Sequence, residues 1–94
     1  MPPLAFDLAR PWALGPQVAL RPEPFGALAY DFGTRRLSFL KSRALLEVVR
    51  TLGEHASARD ACLAAGVGDA ELPRYADALA TLARTGMVRP REAP

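Results

Sequence analysis

Between residues 4 and 14 the large apolar side chains take the even positions, Leu4, Phe6, Leu8, Trp12 and Leu14. Pro3, Ala5, Asp7, Ala9, Pro11 and Ala13 take the odd ones. A period of two interrupted by prolines describes an extended segment with one apolar side and excludes a helix. This N-terminal arm, residues 1–15, either covers its own domain or crosses to a second copy of the chain and makes a homodimer. The same period reappears in residues 17–21, QVALR, which read as a first strand. The run RPEPFG then breaks it, because proline has no N–H to give a ladder. Residues 27–30 form a second strand, 31–34 a turn in which Gly33 supplies a positive φ, and 35–40 a third strand. On that third strand Leu37 and Phe39 share one face, and Arg36, Ser38 and Leu40 the other.

Beyond Lys41 the period becomes helical. Ser42 is a good N-cap for a helix running to about residue 52, with Leu45, Val48, Val49 and Leu52 on one face and Gly53 as the stop. Ser57 and Asp60 form an S-x-x-D cap for a shorter second helix, whose Ala61, Cys62 and Ala65 give a small-residue face and which Gly66 ends. The third starts between Asp69 and Pro73, where proline is tolerated because first-turn amides lack intrahelical partners. Its stripe of Leu72, Tyr75, Ala76, Leu79, Leu82 and Ala83 is the most regular amphipathic signal in the chain. It ends near Gly86, with Met87 and Val88 packing back and residues 89–94 a loose tail. Strands followed by helices predict an α+β domain over residues 16–88: a three-stranded antiparallel sheet, then three α-helices segregated to one side. The last two helices, separated by Ala-Gly-Val-Gly, fit a helix-turn-helix, so the whole is winged helix-turn-helix-like.

A chain of 94 residues suits one core and not two. The net charge of +2 is small, but four cations, Arg35, Arg36, Lys41 and Arg43, lie together with no acid among them. One cysteine excludes an internal disulfide, and the start of the chain has no basic segment followed by an apolar run, which assigns it to the cytoplasm. No stretch approaches the ~18 to 20 apolar residues of a membrane span.

Catalytic chemistry finds little to stand on. With His55 and Cys62 each the single residue of its kind, no cluster for zinc or iron–sulfur can be assembled. Cys62 reads as a small buried residue, His55 as an exposed loop histidine, and no third group is suggested that would orient them as a nucleophile pair. The Asp-Phe-Gly at 31–33 lacks the glycine-rich loop, lysine strand and catalytic loop of a kinase. Glycine-rich phosphate loops are absent too.

The third strand is the informative element. A three-stranded meander has two edges, and an edge offers unpaired N–H and C=O groups to any extended chain. Arg35, Arg36, Lys41 and Arg43 either blunt that edge against aggregation or steer an acidic peptide that adds to it as a strand. Ladder bonds alone barely offset the ordering of a disordered guest, so apolar anchors are needed. Leu72, Tyr75, Leu79 and Leu82 on the third helix could wall a groove beside the strand, or could be core. DNA binding is the rival reading. Against it, the third helix carries Asp69, Glu71 and Asp77 around its start against one base, Arg74, which repels phosphate. A structural dimerisation domain is the third reading.

The stretch WALGPQVALRPEPFGALAYDFGTRRLSFLKS, with LLEVVRTL and ALATLARTGMV after it, resembles the MftB family of mycofactocin biosynthesis chaperones, short PqqD-like proteins. The resemblance spans about residues 6–88 and is most specific in RPEPFGALAY and FGTRRLSFLKS. It implies a RiPP recognition element, a non-catalytic chaperone without a cofactor of its own. Such a protein binds the leader of a ribosomal precursor peptide and presents it to a radical SAM maturase, which acts on the peptide's C-terminal Val-Tyr. In similar proteins the leader adds to the third strand and lies against the third helix. Carried onto this sequence, the resemblance marks Arg35, Arg36, Leu37, Ser38, Phe39, Leu40 and Lys41, together with the exposed flank of Leu72, Tyr75, Leu79 and Leu82.

Overall fold

A computed structural model describes residues 6–91. The elements in order are β1 (Trp12–Leu14), β2 (Val18–Glu23), β3 (Gly26–Asp31), β4 (Leu37–Leu40), α1 (Arg43–Thr51), α2 (Ala58–Ala64), α3 (Leu72–Arg84) and β5 (Val88–Pro90). Short 3-10 turns, Leu52–Glu54 and Asp69–Glu71, follow α1 and precede α3. The expected antiparallel meander is present in the order β2-β3-β4, and a second sheet of β1 and β5 joins the two ends of the chain.

The first two helices start where their caps place them, and α3 opens on a proline in its first turn without a side-chain cap. Ser42 Oγ accepts from the Leu45 amide at 3.0 Å and Ser57 Oγ from the Asp60 amide at 3.1 Å, satisfying first-turn donors that have no helical partner. Gly66 and Gly86 follow α2 and α3 with φ of +87° and +79°, left-handed positions that release the chain from the helix. Ala27 and Ala29 on the inner face of β3 are buried with Val48, Val49, Leu79 and Val88. Their small side chains let the helices approach the central strand closely.

The arm folds back onto its own domain. Phe6, Leu8, Trp12 and Leu14 all pack on the core, which accounts for the even-numbered pattern; Leu4 lies outside the described residues. The arm is not extended throughout, because Asp7 turns it: its carboxylate accepts from the Ala9 amide at 2.9 Å. The Leu8 and Arg10 carbonyls then accept from the Arg59 and Ala58 amides at the start of α2. Trp12 stacks on Phe6 at 4.1 Å. What reads as a loose tail begins instead as β5, and Arg91 fastens it by donating to the carbonyls of Trp12 and His55; residues 92–94 lie outside the description.

Two turn assignments change. Pro22 does not end β2, because β2 is an edge strand and the proline nitrogen faces away from β3. The third strand of the meander starts at Leu37 rather than residue 35, and Arg35, not Gly33, takes the positive φ of 62°. Asp31 is the cause. Its Oδ1 accepts from the amides of Gly33 (2.8 Å) and Thr34 (3.0 Å), and its carbonyl accepts from the Arg35 amide (2.7 Å). The loop is thereby wound through Arg36 before pairing resumes. Gly33 serves space instead of φ, since a Cβ there would stand 3.2 Å from Asp31 Oδ1. No helix among the described residues is long and apolar enough to cross a membrane.

Candidate functional site

Ladder parity decides what β4 exposes. The Asp31 amide donates to the Arg36 carbonyl at 2.9 Å, which makes these two a hydrogen-bonded pair. Such pairs alternate along an antiparallel ladder. Ser38 and Leu40 therefore spend their main-chain groups on Ala29 and Ala27, whereas Leu37 and Phe39 turn theirs to the open side. Gly26 corroborates the parity: at φ +152° a Cβ there would collide with the Leu40 carbonyl and stand 2.7 Å from the Ser42 nitrogen, so the Leu40 oxygen points toward β3.

The other edge of the sheet is blunted. The Phe32 amide donates to the Gln17 carbonyl, so Val18, Leu20 and Pro22 of β2 face outward. Val18 gives its N–H to the Gly15 carbonyl at 3.0 Å and Pro22 has none. Of the β2 residues only Leu20 has an outward N–H to offer, and β4 is the edge that can take another strand.

Beside β4 lies a groove walled by α1 and α3. Ser38, Phe39, Leu40, Lys41, Leu45, Ala78, Thr81 and Leu82 line a cavity of about 410 Å³. It continues into a smaller one of about 200 Å³ bounded by Lys41, Ser42, Leu45, Glu71, Arg74, Tyr75 and Ala78. The first is mainly aliphatic; Lys41, Arg74 and Glu71 give the second its charge. An extended chain laid along β4 would send alternate side chains into this groove.

The structure divides the residues singled out from sequence. Ser38, Phe39, Leu40 and Lys41 border the groove; Leu37 lines neither cavity, and it and the Phe39 ring, which meets Phe25, are 52% and 60% exposed. Arg35 and Arg36 belong to the turn before β4 and are exposed. Of the α3 series, Leu82 and Tyr75 reach the groove, while Leu72 and Leu79 line neither cavity and are buried in the core. Ala78 and Thr81 form the actual helical wall, with Leu45 from α1. Their helical spacing from Glu71 and Arg74 marks one flank of α3, but small side chains carry no apolar signal by which to find it.

Two buried titratable groups are perturbed. Asp31 is fully buried, and the Thr34 amide, with lesser help from Gln17 and Gly33, holds its carboxyl below the ordinary value against the effect of burial. Burial pushes the Cys62 thiol up, leaving it protonated and unreactive at neutral pH. Among the described residues no group of His, Cys, Asp and Glu is gathered that could hold a metal ion.

A family model described as the peptide chaperone MftB family matches residues 11–89. Three curated relatives carry the name peptide chaperone MftB. The protein of Mycobacterium ulcerans is 58% identical over 89 residues, 95% of this chain and 82% of its own. That of Mycobacterium tuberculosis is 55% identical over 87 residues, covering 93% and 80%. The Mycolicibacterium smegmatis protein is 52% identical over 87 residues, covering 93% and 85%. No solved structure matches the chain.

Proposed function

The chain belongs to the peptide chaperone MftB family, whose role lies in mycofactocin biosynthesis, and from that premise we propose that it holds the leader of a ribosomal precursor peptide as an added strand on β4 and presents it to a radical SAM maturase. The protein itself is non-catalytic in this reading. It binds, extends and orients the guest, and the bond chemistry belongs to the maturase. The fold serves as a winged helix-turn-helix-like scaffold in which the β3–β4 hairpin and α3 face each other across the groove.

The observation that carries the proposal is the main chain of Leu37 and Phe39, outward-facing and without a partner among the described residues, directly beside the groove. Each offers one donor and one acceptor, so a guest strand gains up to four ladder bonds. At about 1 kcal/mol net apiece these roughly cancel the ~2 to 5 kcal/mol of ordering a disordered segment. Net affinity then comes from side chains in the groove, where a buried leucine-sized anchor contributes roughly 1.5 to 3 kcal/mol. Arg35, Arg36 and Lys41 flank the strand and favour an acidic leader.

Fluorescence anisotropy of a labelled cognate leader tests this. The wild-type chain binds the leader in preference to a scrambled sequence or duplex DNA. Ala78→Arg, which fills the groove from a half-exposed helix position, weakens binding by about tenfold or more with an unchanged circular dichroism spectrum. Leader binding that is absent from the wild type, or indifferent to a folded Ala78→Arg, overturns the proposal.

A further inference from the structure

The outer face of the sheet, opposite the helices, is aromatic and uncovered among the described residues. Leu28 and Tyr30 on β3 stand opposite Phe39 and Leu37 on β4. Phe25 meets Phe39 with centroids 6.0 Å apart, and Phe32 meets Tyr30 edge-on at 5.1 Å. Phe32 is 64% exposed and Phe25 47%. With Leu37 and Phe39, and at roughly 200 Å² for a whole aromatic side chain, the contiguous exposed area is on the order of 400 Å², as large as the biggest patch on an ordinary monomer. Packing within the domain does not explain it, since the core lies on the other face of the sheet.

Strand addition connects this face to the guest. A chain paired with β4 alternates its side chains between groove and outer face, and those on the outer face come to lie beside Leu37 and Phe39. Loading thus fills the groove and enlarges the patch. Resting on the guest-binding reading above, we propose that the maturase docks on this outer face, through an apolar surface with an acidic rim, and there reads chaperone and guest as one continuous sheet. The rim supports that chemistry. Arg35, in the turn that leads into Leu37, is exposed, Arg21 stands opposite Leu28 on the same face, and the acid of the β2 margin, Glu23, is already engaged by Arg21 at 3.0 Å. A second copy laid on the same face would bring this cationic rim against itself, whereas an acidic rim complements it. The patch alone is about half of the ~800 Å² per partner of a standard interface, which suits a handover that strengthens when the guest supplies the rest.

Biolayer interferometry with immobilised maturase, with and without leader, tests the assignment on the full-length chain. Leader raises the wild-type affinity for the maturase about threefold or more, and the double variant Phe25→Ser/Phe32→Ser binds maturase about tenfold more weakly in both states while holding leader within about twofold of wild type. Ala78→Arg does the converse: it loses the leader enhancement and keeps the unloaded affinity. A folded Phe25→Ser/Phe32→Ser chain that binds maturase like the wild type overturns the docking face. So does light scattering that shows a wild-type dimer which this variant splits, because the face then belongs to a second copy. A wild type that ignores leader, yet whose unloaded maturase affinity still depends on Phe25 and Phe32, sinks the guest reading and leaves the docking face standing.

Discussion

Asp31 carries more of the site's geometry than any groove residue, although it touches no part of the groove. Its carboxylate gathers the Gly33 and Thr34 amides and the Gln17 amide (3.2 Å) while its main chain binds Arg35 and Arg36. Together these fix where β4 begins and hence which of its residues face outward. The carboxylate is held below its unfolded value of 3.8, foremost by the Thr34 amide. A depressed acid stabilises the fold fully above its unfolded pKa, and that contribution is lost as pH falls through the folded one. Asp31→Asn keeps an oxygen for the two amides but cannot titrate. The wild type is therefore the more stable protein at neutral pH, and the difference in melting temperature between the two narrows as pH is lowered from about 5 to 2. Thermal melts across that range check this, and a constant difference would show that the carboxylate charge is not what holds the turn. The sequence made Asp31–Thr34 legible as a turn. It did not show which residue takes the left-handed conformation, because the choice rests on a side chain bonding amides two and three positions ahead, and Gly33 is the more obvious candidate.

Alternation along β4 sorts its residues into those that hold the sheet and those that are free to hold a guest. Proline at Phe39 removes an outward N–H and leaves the β3–β4 ladder whole, whereas proline at Ser38 removes a bond to Ala29 from inside the sheet. Phe39→Pro is expected to weaken leader binding by about tenfold with a small loss of melting temperature. Ser38→Pro is expected to cost about 1 to 3 kcal/mol of stability before binding can be asked about. Anisotropy paired with thermal melts separates the two, and a larger stability loss in Phe39→Pro than in Ser38→Pro would mean the ladder parity is the reverse of that described. The helices were legible from their caps and glycine stops because those signals are local. Strands β1 and β5 escaped notice because each is three residues long, and their pairing spans the whole chain. The groove escaped in part for a different reason. A groove exists where side chains are small, and Ala78 and Thr81 leave room instead of announcing an apolar stripe, while the conspicuous Leu72 and Leu79 were drawn into the core.

At the scale of the molecule an open edge threatens to pair with its own kind, and the cations beside β4 bear on that. A two-fold β4–β4 pairing centred on Ser38 matches Leu37 with Phe39 of the second copy and uses all the outward main-chain groups. The same register brings the Arg35–Arg36 turn of each copy toward Lys41 of the other, and like charges brought together destabilise a strand pair. The described part of the arm, from residue 6, bonds to β5 and α2 of its own chain. An acidic guest on the same edge meets attraction at both ends of the strand. Self-avoidance and guest preference thus follow from one charge arrangement, which lies on exposed side chains that charge reversal can reach without touching the core. Arg35→Glu/Arg36→Glu is expected to slow association with an acidic leader by about tenfold at low salt and to flatten the dependence of that rate on ionic strength. By bringing carboxylates at positions 35 and 36 toward Lys41 of a neighbour, the double reversal is also expected to raise the dimer fraction seen by light scattering. Stopped-flow kinetics at several salt concentrations, on a variant whose circular dichroism matches wild type, decide the first arm. Leader association unchanged in rate and salt slope would reduce the cations to guards of an edge that no acidic peptide approaches.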